Sequence, residues 1–143
     1  KKLALPSSQS LSSNWLLKYE LKRNKIKESD LEIITNFPHH QSVIYNVLNK
    51  RYDAGVTREY LLKKLNTNST RIILYSDPFP TAPLVVTKNY PKEIIKEIKN
   101  AFLKLNPQNP DLLNLTKDFD NEFIHGFVEA TDKEYDIVRR ISK

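Results

Sequence analysis

Five serines crowd the first turn of the chain, where their hydroxyls could bind an anion. Residues 3–5 form a short apolar run that predicts a strand, and W-L-L-K-Y-E-L at 15–21 has helical spacing. The serines lie between them, at positions 7, 8, 10, 12 and 13. The first N–H groups of a helix have no internal partner and the helix dipole is positive there, so a strand, hydroxyl-rich turn and helix start suit an anion. The alternative is that one serine caps the helix and the others fill a polar loop.

Two adjacent histidines, His39 and His40, precede a second predicted helix. We expect no metal site there, because neighbours in sequence rarely converge on one ion and the positions three and four residues on hold Ser42, Val43 and Ile44. Two interpretations of His40 stay open: a solvent-facing or capping histidine, or a hydrogen-bond donor to an oxyanion. The donor role is available in either protonation state because one ring N–H is always present.

The composition argues against several kinds of chemistry. The chain has no cysteine, so disulfides, thiolate catalysis and cysteine-ligated zinc are excluded. It shows neither a Ser-His-Asp order with a nucleophile elbow nor a G-x-x-x-x-G-K-[ST] loop, so neither a hydrolase nor a nucleoside triphosphatase is supported. We therefore expect no enzyme activity, no metal and no cofactor.

The positive charge is diluted along the chain. The 23 lysines and arginines exceed the 17 acids by six, but acids such as Glu97 stand beside many of them. There is no basic run interleaved with aromatic residues, so we expect no nucleic-acid partner, while a mild positive field favours an anionic ligand. No apolar stretch approaches the roughly 18 residues that span a bilayer.

Strands alternate with helices in the first part of the chain, which predicts an α/β fold with a mainly parallel sheet flanked by helices. Helices are predicted from Trp15, after Pro38, and over residues 58–65 with Thr57 as the cap. The predicted strands are residues 3–5, 31–35, 52–56 and 71–75.

The rest of the chain predicts a second structural unit. Residues 76–83, S-D-P-F-P-T-A-P, contain three prolines and cannot continue a regular element, so we interpret them as a crossing segment. Further elements are a strand at 84–87, an amphipathic helix at 91–105, a helical turn at 112–115, and a last helix behind the capping box Thr131-Asp132-Lys133-Glu134.

Several motifs in a fixed order resemble one protein family. They are P-S-S-Q-S at 6–10, H-H-Q at 39–41 before V-I-Y-N-V-L-N-K-R-Y-D-A-G-V, S-D-P-F-P-T-A-P-L at 76–84, and G-F-V-E-A-T-D-K-E-Y-D-I-V-R at 126–139. Together they are similar to the substrate-binding proteins of phosphate, phosphite and phosphonate ABC transporters. The resemblance implies the type II periplasmic-binding-protein fold, in which two α/β lobes close on a ligand, and a periplasmic or extracytoplasmic location.

The resemblance also implies a division of the chain. Residues 1–80 resemble the second lobe of the family, and residues 81–143 resemble a C-terminal strand and helical extension that returns to the first lobe. That first lobe is absent from this sequence, which has no methionine and opens directly into a strand, so we expect a segment of a longer protein. We expect exposed apolar surface where the missing lobe would pack, near Ile94, Ile98 and Phe102, and a partner or self-association there.

The resemblance assigns ligand contacts to individual residues. The family's P-x-S-x-S-G turn, which holds the phosphonyl oxygens, falls on Ser8 and Ser10 with Ser7 adjacent, and its glycine is replaced by Leu11. The family's ligand-facing histidine, from G-S-H-D, matches His40, with Pro38-His39 in place of Gly-Ser.

Aminoalkylphosphonate-binding members carry carboxylates for the amine. One of these positions falls on Ala82 in this chain, and the nearest candidate for another is Glu59. Without the first acid, 2-aminoethylphosphonate is expected to be a poor ligand.

Three functions remain open at this stage. The leading one is a non-enzymatic solute-binding component, or a fragment of one, that delivers a small oxyanion to the membrane permease of an ABC transporter. The second is the extracytoplasmic ligand-sensing domain of a membrane histidine kinase, cyclase or chemoreceptor. The third is a degenerate interaction module that has lost its ligand.

Overall fold

A three-stranded parallel sheet lies in the first part of the chain, in a computed structural model that describes residues 1–65, 68–120 and 123–142. Its strands are β1 (Lys2–Leu5), β2 (Ile33–Asn36) and β3 (Ala54–Gly55), in the order β2-β1-β3. Both neighbours run parallel to β1. The α/β class with a parallel sheet, expected from the sequence, is confirmed.

Helices follow each strand and make up most of the regular structure beyond residue 90. A π-helical turn, Ser12–Leu16, leads into the first helix, and the capping box before the last one is present, since the Thr131 N–H donates to the Glu134 carboxylate. Within the described ranges no helix has both the length and the apolar character that crossing a membrane requires. The helices are α1 (Leu17–Arg23), α2 (His40–Leu48), α3 (Glu59–Leu65), α4 (Lys92–Lys104), α5 (Leu112–Thr116) and α6 (Asp136–Ile141).

The described chain divides into two compact units. The first contains Lys1–Pro78 and the C-terminal segment that begins at Val138, and the second contains Phe79–Ile137. In the first unit α2 packs on β1 and β3. The buried apolar residues of β1 and α2 are Ala4, Leu5, Val43 and Ile44.

The second unit has its own small aromatic cluster. The ring of Phe127 packs against Phe102 and Phe123 with centroid distances of 4.7 and 5.7 Å. The Phe127 N–H donates to the Leu105 carbonyl at 2.7 Å. Gly126 makes this approach possible, because its φ is +82° and a Cβ there would lie 2.1 Å from the Leu105 oxygen.

Two predicted strands, residues 71–75 and 84–87, are not strands in the structure. Their side chains face solvent, with Ile73 74% exposed and Val85 81% exposed. A strand requires a hydrogen-bonded neighbour, and in the described part of the chain the sheet consists of β1, β2 and β3. The apolar pattern alone therefore did not suffice to predict strands here.

The apolar stripe of α4 is only partly covered. No residue of this helix is buried. Ile94 is 41% exposed, while Ile98 and Phe102 are half-buried. The surface anticipated from the sequence is therefore apolar and accessible at its Ile94 end.

Gly55 leaves no room for a side chain. A Cβ at this position would lie 2.5 Å from Val43 Cγ1, 3.1 Å from Val47 Cγ2 and 3.3 Å from the Ala4 carbonyl oxygen. We expect Gly55→Ala to lower the free energy of unfolding by about 1–3 kcal/mol, the usual effect of overpacking. Urea unfolding followed by circular dichroism measures the change.

Val43→Ala provides the matched background, because it removes the methyl group that the new Cβ would meet. Introduced into that variant, Gly55→Ala should destabilise clearly less than it does in the native chain. Equal losses in the two backgrounds would contradict the packing of α2 on β3.

Candidate functional site

The serine turn, residues 7–13, closes on itself through one carbonyl. The Ser10 N–H donates to the Ser7 carbonyl at 2.8 Å, and the Ser13 hydroxyl donates to the same oxygen. Ser13 is also 3.3 Å from the Ser10 carbonyl and is buried. Ser13 therefore holds the turn in shape.

Ser7, Ser8 and Ser10 retain hydroxyl groups that can contact a ligand. Ser8 is exposed, while the Ser7 Oγ accepts from the Gln9 N–H at 3.3 Å. The Ser10 Oγ lies 2.8 Å from the Ser12 Oγ, and only one of those hydroxyls donates to the other. Because a hydroxyl has one hydrogen and two lone pairs, these bonds leave further donors in the turn.

A pocket of ≈ 230 Å³ opens beside the serine turn. Ser8, Asn14 and Asn36 contribute neutral polar groups to its wall, Lys18 and Glu28 contribute one charge of each sign, and Leu5 and Ile34 contribute apolar groups. Of the residues predicted for the site, Ser8 lines this pocket. A small polar ligand could therefore reach the turn from the side on which β1 and β2 end.

The loop after β2 is tied to the start of the serine turn. The Phe37 N–H donates to the Leu5 carbonyl at 2.8 Å, and the Asn36 side-chain amide donates to the Pro6 carbonyl at 2.7 Å. The carboxyl ends of parallel strands meet at one edge of a sheet. The serine turn, the loop that leads to His40 and the loop after β3 consequently leave the sheet at the same edge.

His40 is the first residue of α2 and is half-buried. Its Nδ1 is buried and has no hydrogen-bond partner among the described residues. Burial lowers the pKa of His40 below the usual 6.5, and the positive charge of Arg58 lowers it further. The imidazole is therefore neutral at pH 7, with one N–H available for donation.

The loop after β3 adds two polar residues, Thr57 and Arg58, that were not predicted as site residues from the sequence. The Thr57 Oγ1 is buried without a hydrogen-bond partner in the described chain, and Arg58 is close enough to His40 for its charge to act on the ring. The prediction that Thr57 caps the helix is wrong, because α3 begins at Glu59 and the cap position belongs to the residue directly before it. Thr57 and Arg58 could have been identified as site residues from their position shortly after a predicted parallel strand.

The carboxylate of Glu59 is engaged by two neighbouring side chains. Its Oε1 lies 2.7 Å from the Lys63 Nζ and 3.4 Å from the Tyr75 hydroxyl. The hydrogen bond from Lys63 is the main reason that the pKa of Glu59 is lowered. The structure thus gathers the three predicted serines into one turn and joins that turn to the loop leading to His40, whereas Glu59 is engaged by Lys63.

Other acids in the described ranges do not form a metal site. Glu20 is buried on α1, where its Oε1 lies 3.7 Å from the Arg23 Nη1, and that guanidinium also lies 3.3 Å from Asp77. Within the described residues no three His, Asp or Glu side chains are placed to hold a metal ion. Glu20 and Asp77 instead form ion pairs with Arg23.

Polar loops at the carboxyl edge of a parallel sheet are where α/β proteins bind small ligands. The sequence matches the family model described as "ABC transporter, phosphonate, periplasmic substrate-binding protein" over residues 1–135, so the chain belongs to that family. The resemblance found in the sequence is confirmed. No curated protein matches the chain.

The serine turn yields a prediction that separates a structural serine from a ligand-facing one. Ser13→Ala should lower the free energy of unfolding by about 1 kcal/mol, because it removes a buried hydroxyl together with its hydrogen bonds to two carbonyls. Ser8→Ala, which changes an exposed side chain, should leave stability within about 0.5 kcal/mol. Thermal unfolding of both variants measures the two changes in stability. Equal losses of stability would contradict the structural role assigned to Ser13.

The electrostatics of His40 give a second prediction. Its ring should titrate below pH 6.5 in an NMR pH titration, and Arg58→Gln should raise that pKa because a nearby positive charge is removed. Since the unfolded chain binds this proton more readily, the contribution of His40 to stability is complete above pH 6.5 and declines as the pH falls below it. A His40 pKa at or above 6.5 would contradict the burial of the ring.

Proposed function

We propose that the chain is the solute-binding component, or a fragment of one, of an ABC-type phosphate or phosphonate uptake system, and that it binds a small oxyanion without chemistry. Membership of the family supports this directly, since proteins of this kind are generally not enzymes. The observation that carries the proposal is the bond from the Asn36 amide to the Pro6 carbonyl. It fixes the loop leading to His40 against the serine turn.

In this proposal the oxyanion accepts hydrogen bonds from Ser7, Ser8, Ser10 and His40. Three hydroxyls and a neutral imidazole N–H suit a tetrahedral anion, because each supplies a donor. Charge-assisted hydrogen bonds of this type are worth about 1.5–3 kcal/mol each. The positive net charge of the chain attracts the same kind of ligand.

Glu59 can contact a ligand only if its ion pair with Lys63 is broken. Its carboxylate would have to leave the Lys63 ammonium, 2.7 Å away, before it could bind the amine of an aminoalkylphosphonate. This supports ligands without an amine, such as phosphate, phosphite or methylphosphonate.

The partners follow from the family. We propose that the oxyanion is delivered to the permease of an ABC transporter on the extracytoplasmic side of a membrane. We also propose that residues 1–80 act as the second lobe of a two-lobed binding protein, and that residues 81–143 return to a first lobe. The accessible apolar surface at Ile94 is consistent with a partner on the second unit.

One observation favours the degenerate module as a second candidate. Ser13 donates to the backbone of the serine turn, and the Ser10 and Ser12 hydroxyls bond to each other. Hydroxyls occupied in this way can serve the turn alone. A binding measurement separates the two functions.

A titration with phosphate and with methylphosphonate, followed by ¹H–¹⁵N NMR, tests the proposal. The amides of residues 7–10 and of His40 should shift, with a dissociation constant of roughly millimolar order, because the proposed first lobe contributes no contacts and association itself is unfavourable. His40→Gln should weaken binding about fivefold or more.

The neighbouring histidine provides the control. His39→Gln should leave the affinity unchanged, because His39 is exposed and precedes the helix. The oxyanion site is contradicted if these amides do not respond, or if the two histidine variants weaken binding equally. Submicromolar binding by the chain alone would contradict the proposed need for contacts from a first lobe.

A further inference from the structure

The loop after β3 brings two further donors to the sheet edge that carries the proposed oxyanion site. Thr57 and Arg58 follow β3 after a single residue, Val56, whose N–H donates to the Ala4 carbonyl at 3.0 Å. Helix α2 packs on β3 so closely that Gly55 has space for no Cβ beside Val43. The start of α2, with His40, is therefore fixed next to this loop.

Two buried polar atoms at this edge have no hydrogen-bond partner within the described ranges: His40 Nδ1 and Thr57 Oγ1. A buried polar atom without a partner is unfavourable by roughly 1–3 kcal/mol, so such atoms are uncommon in a folded protein. One belongs to the first residue of α2 and the other to the loop after β3, and the Arg58 charge is close enough to the His40 ring to lower its pKa. The three side chains thus belong to one locality.

We propose that Thr57 and Arg58 bind a second acidic group of the ligand, so that the chain takes phosphonates that also carry a carboxylate. This rests on the proposed function, in which the serine turn and His40 hold the phosphonate group. A guanidinium offers two parallel N–H groups that match a carboxylate, and the Thr57 hydroxyl adds a third donor.

The same arrangement disfavours an amine at this end of the ligand. An ammonium group beside Arg58 would meet a like charge. The adjacent acid, Glu59, is bonded to Lys63 and Tyr75. Phosphonoacetate is the simplest probe of the proposed class, and 2-aminoethylphosphonate carries a positive ammonium group where phosphonoacetate carries a carboxylate.

The test compares three ligands on the full chain by ¹H–¹⁵N NMR titration at one ionic strength: methylphosphonate, phosphonoacetate and 2-aminoethylphosphonate. Phosphonoacetate should bind about tenfold more tightly than methylphosphonate, since one charge-assisted contact is added. The aminoethyl compound should bind more weakly than methylphosphonate. Arg58→Gln should reduce the preference for phosphonoacetate to about twofold or less.

Arg51→Gln is the matched control, because it removes the same charge from an exposed position on the α2–β3 connection. It should preserve the tenfold preference. Thr57→Val, which keeps the shape but loses the hydroxyl, should lower the affinity for phosphonoacetate about threefold and gives an independent variant should Arg58→Gln fail to fold.

The outcomes distinguish this inference from the proposed function. If methylphosphonate binds at the serine turn but phosphonoacetate binds no better, or if Arg51→Gln erases the preference as fully as Arg58→Gln, the second acidic group is refuted and the oxyanion site stands. If no phosphonate shifts the amides of the serine turn, both are refuted.

Discussion

Parallel pairing on both sides of β1 is the constraint on which the first unit depends. The strand is only four residues long, yet it exchanges backbone hydrogen bonds with β2 and β3, and its last two residues, Ala4 and Leu5, are buried. Because all three strands run the same way, their carboxyl ends, and the loops that follow them, share one edge. The polar groups of the proposed site are brought together by this pairing.

Much of this fold could be predicted from the sequence, because its helices and strands carry local signals. The spacing of apolar residues predicted α2 and α4, and the short apolar run at 52–56 predicted β3, which is observed at Ala54–Gly55. Residues 71–75 and 84–87 carry equally good strand patterns but have no strand partner in the described structure. A pattern reports which residues favour an extended backbone, whereas pairing depends on what lies beside them.

The site was predictable in part. A turn with five serines before a helix is visible in the sequence, but the sequence does not show which serine stabilises the turn and which ones can face a ligand. Ser13 closes the turn only because the folded backbone brings its hydroxyl to the Ser7 carbonyl. Thr57 and Arg58 were missed for a similar reason, since their relation to His40 arises from the packing of α2 on β3 at Gly55.

The proposed function requires that the serine turn and His40 hold one tetrahedral anion at this edge. A crystal structure of the chain soaked in methylphosphonate measures this most directly. We expect a phosphonate group with oxygens about 2.7–3.2 Å from the hydroxyls of Ser8 and Ser10 and from a ring nitrogen of His40. A phosphonate group bound elsewhere, or an imidazole turned away from a serine turn that binds nothing, would contradict it.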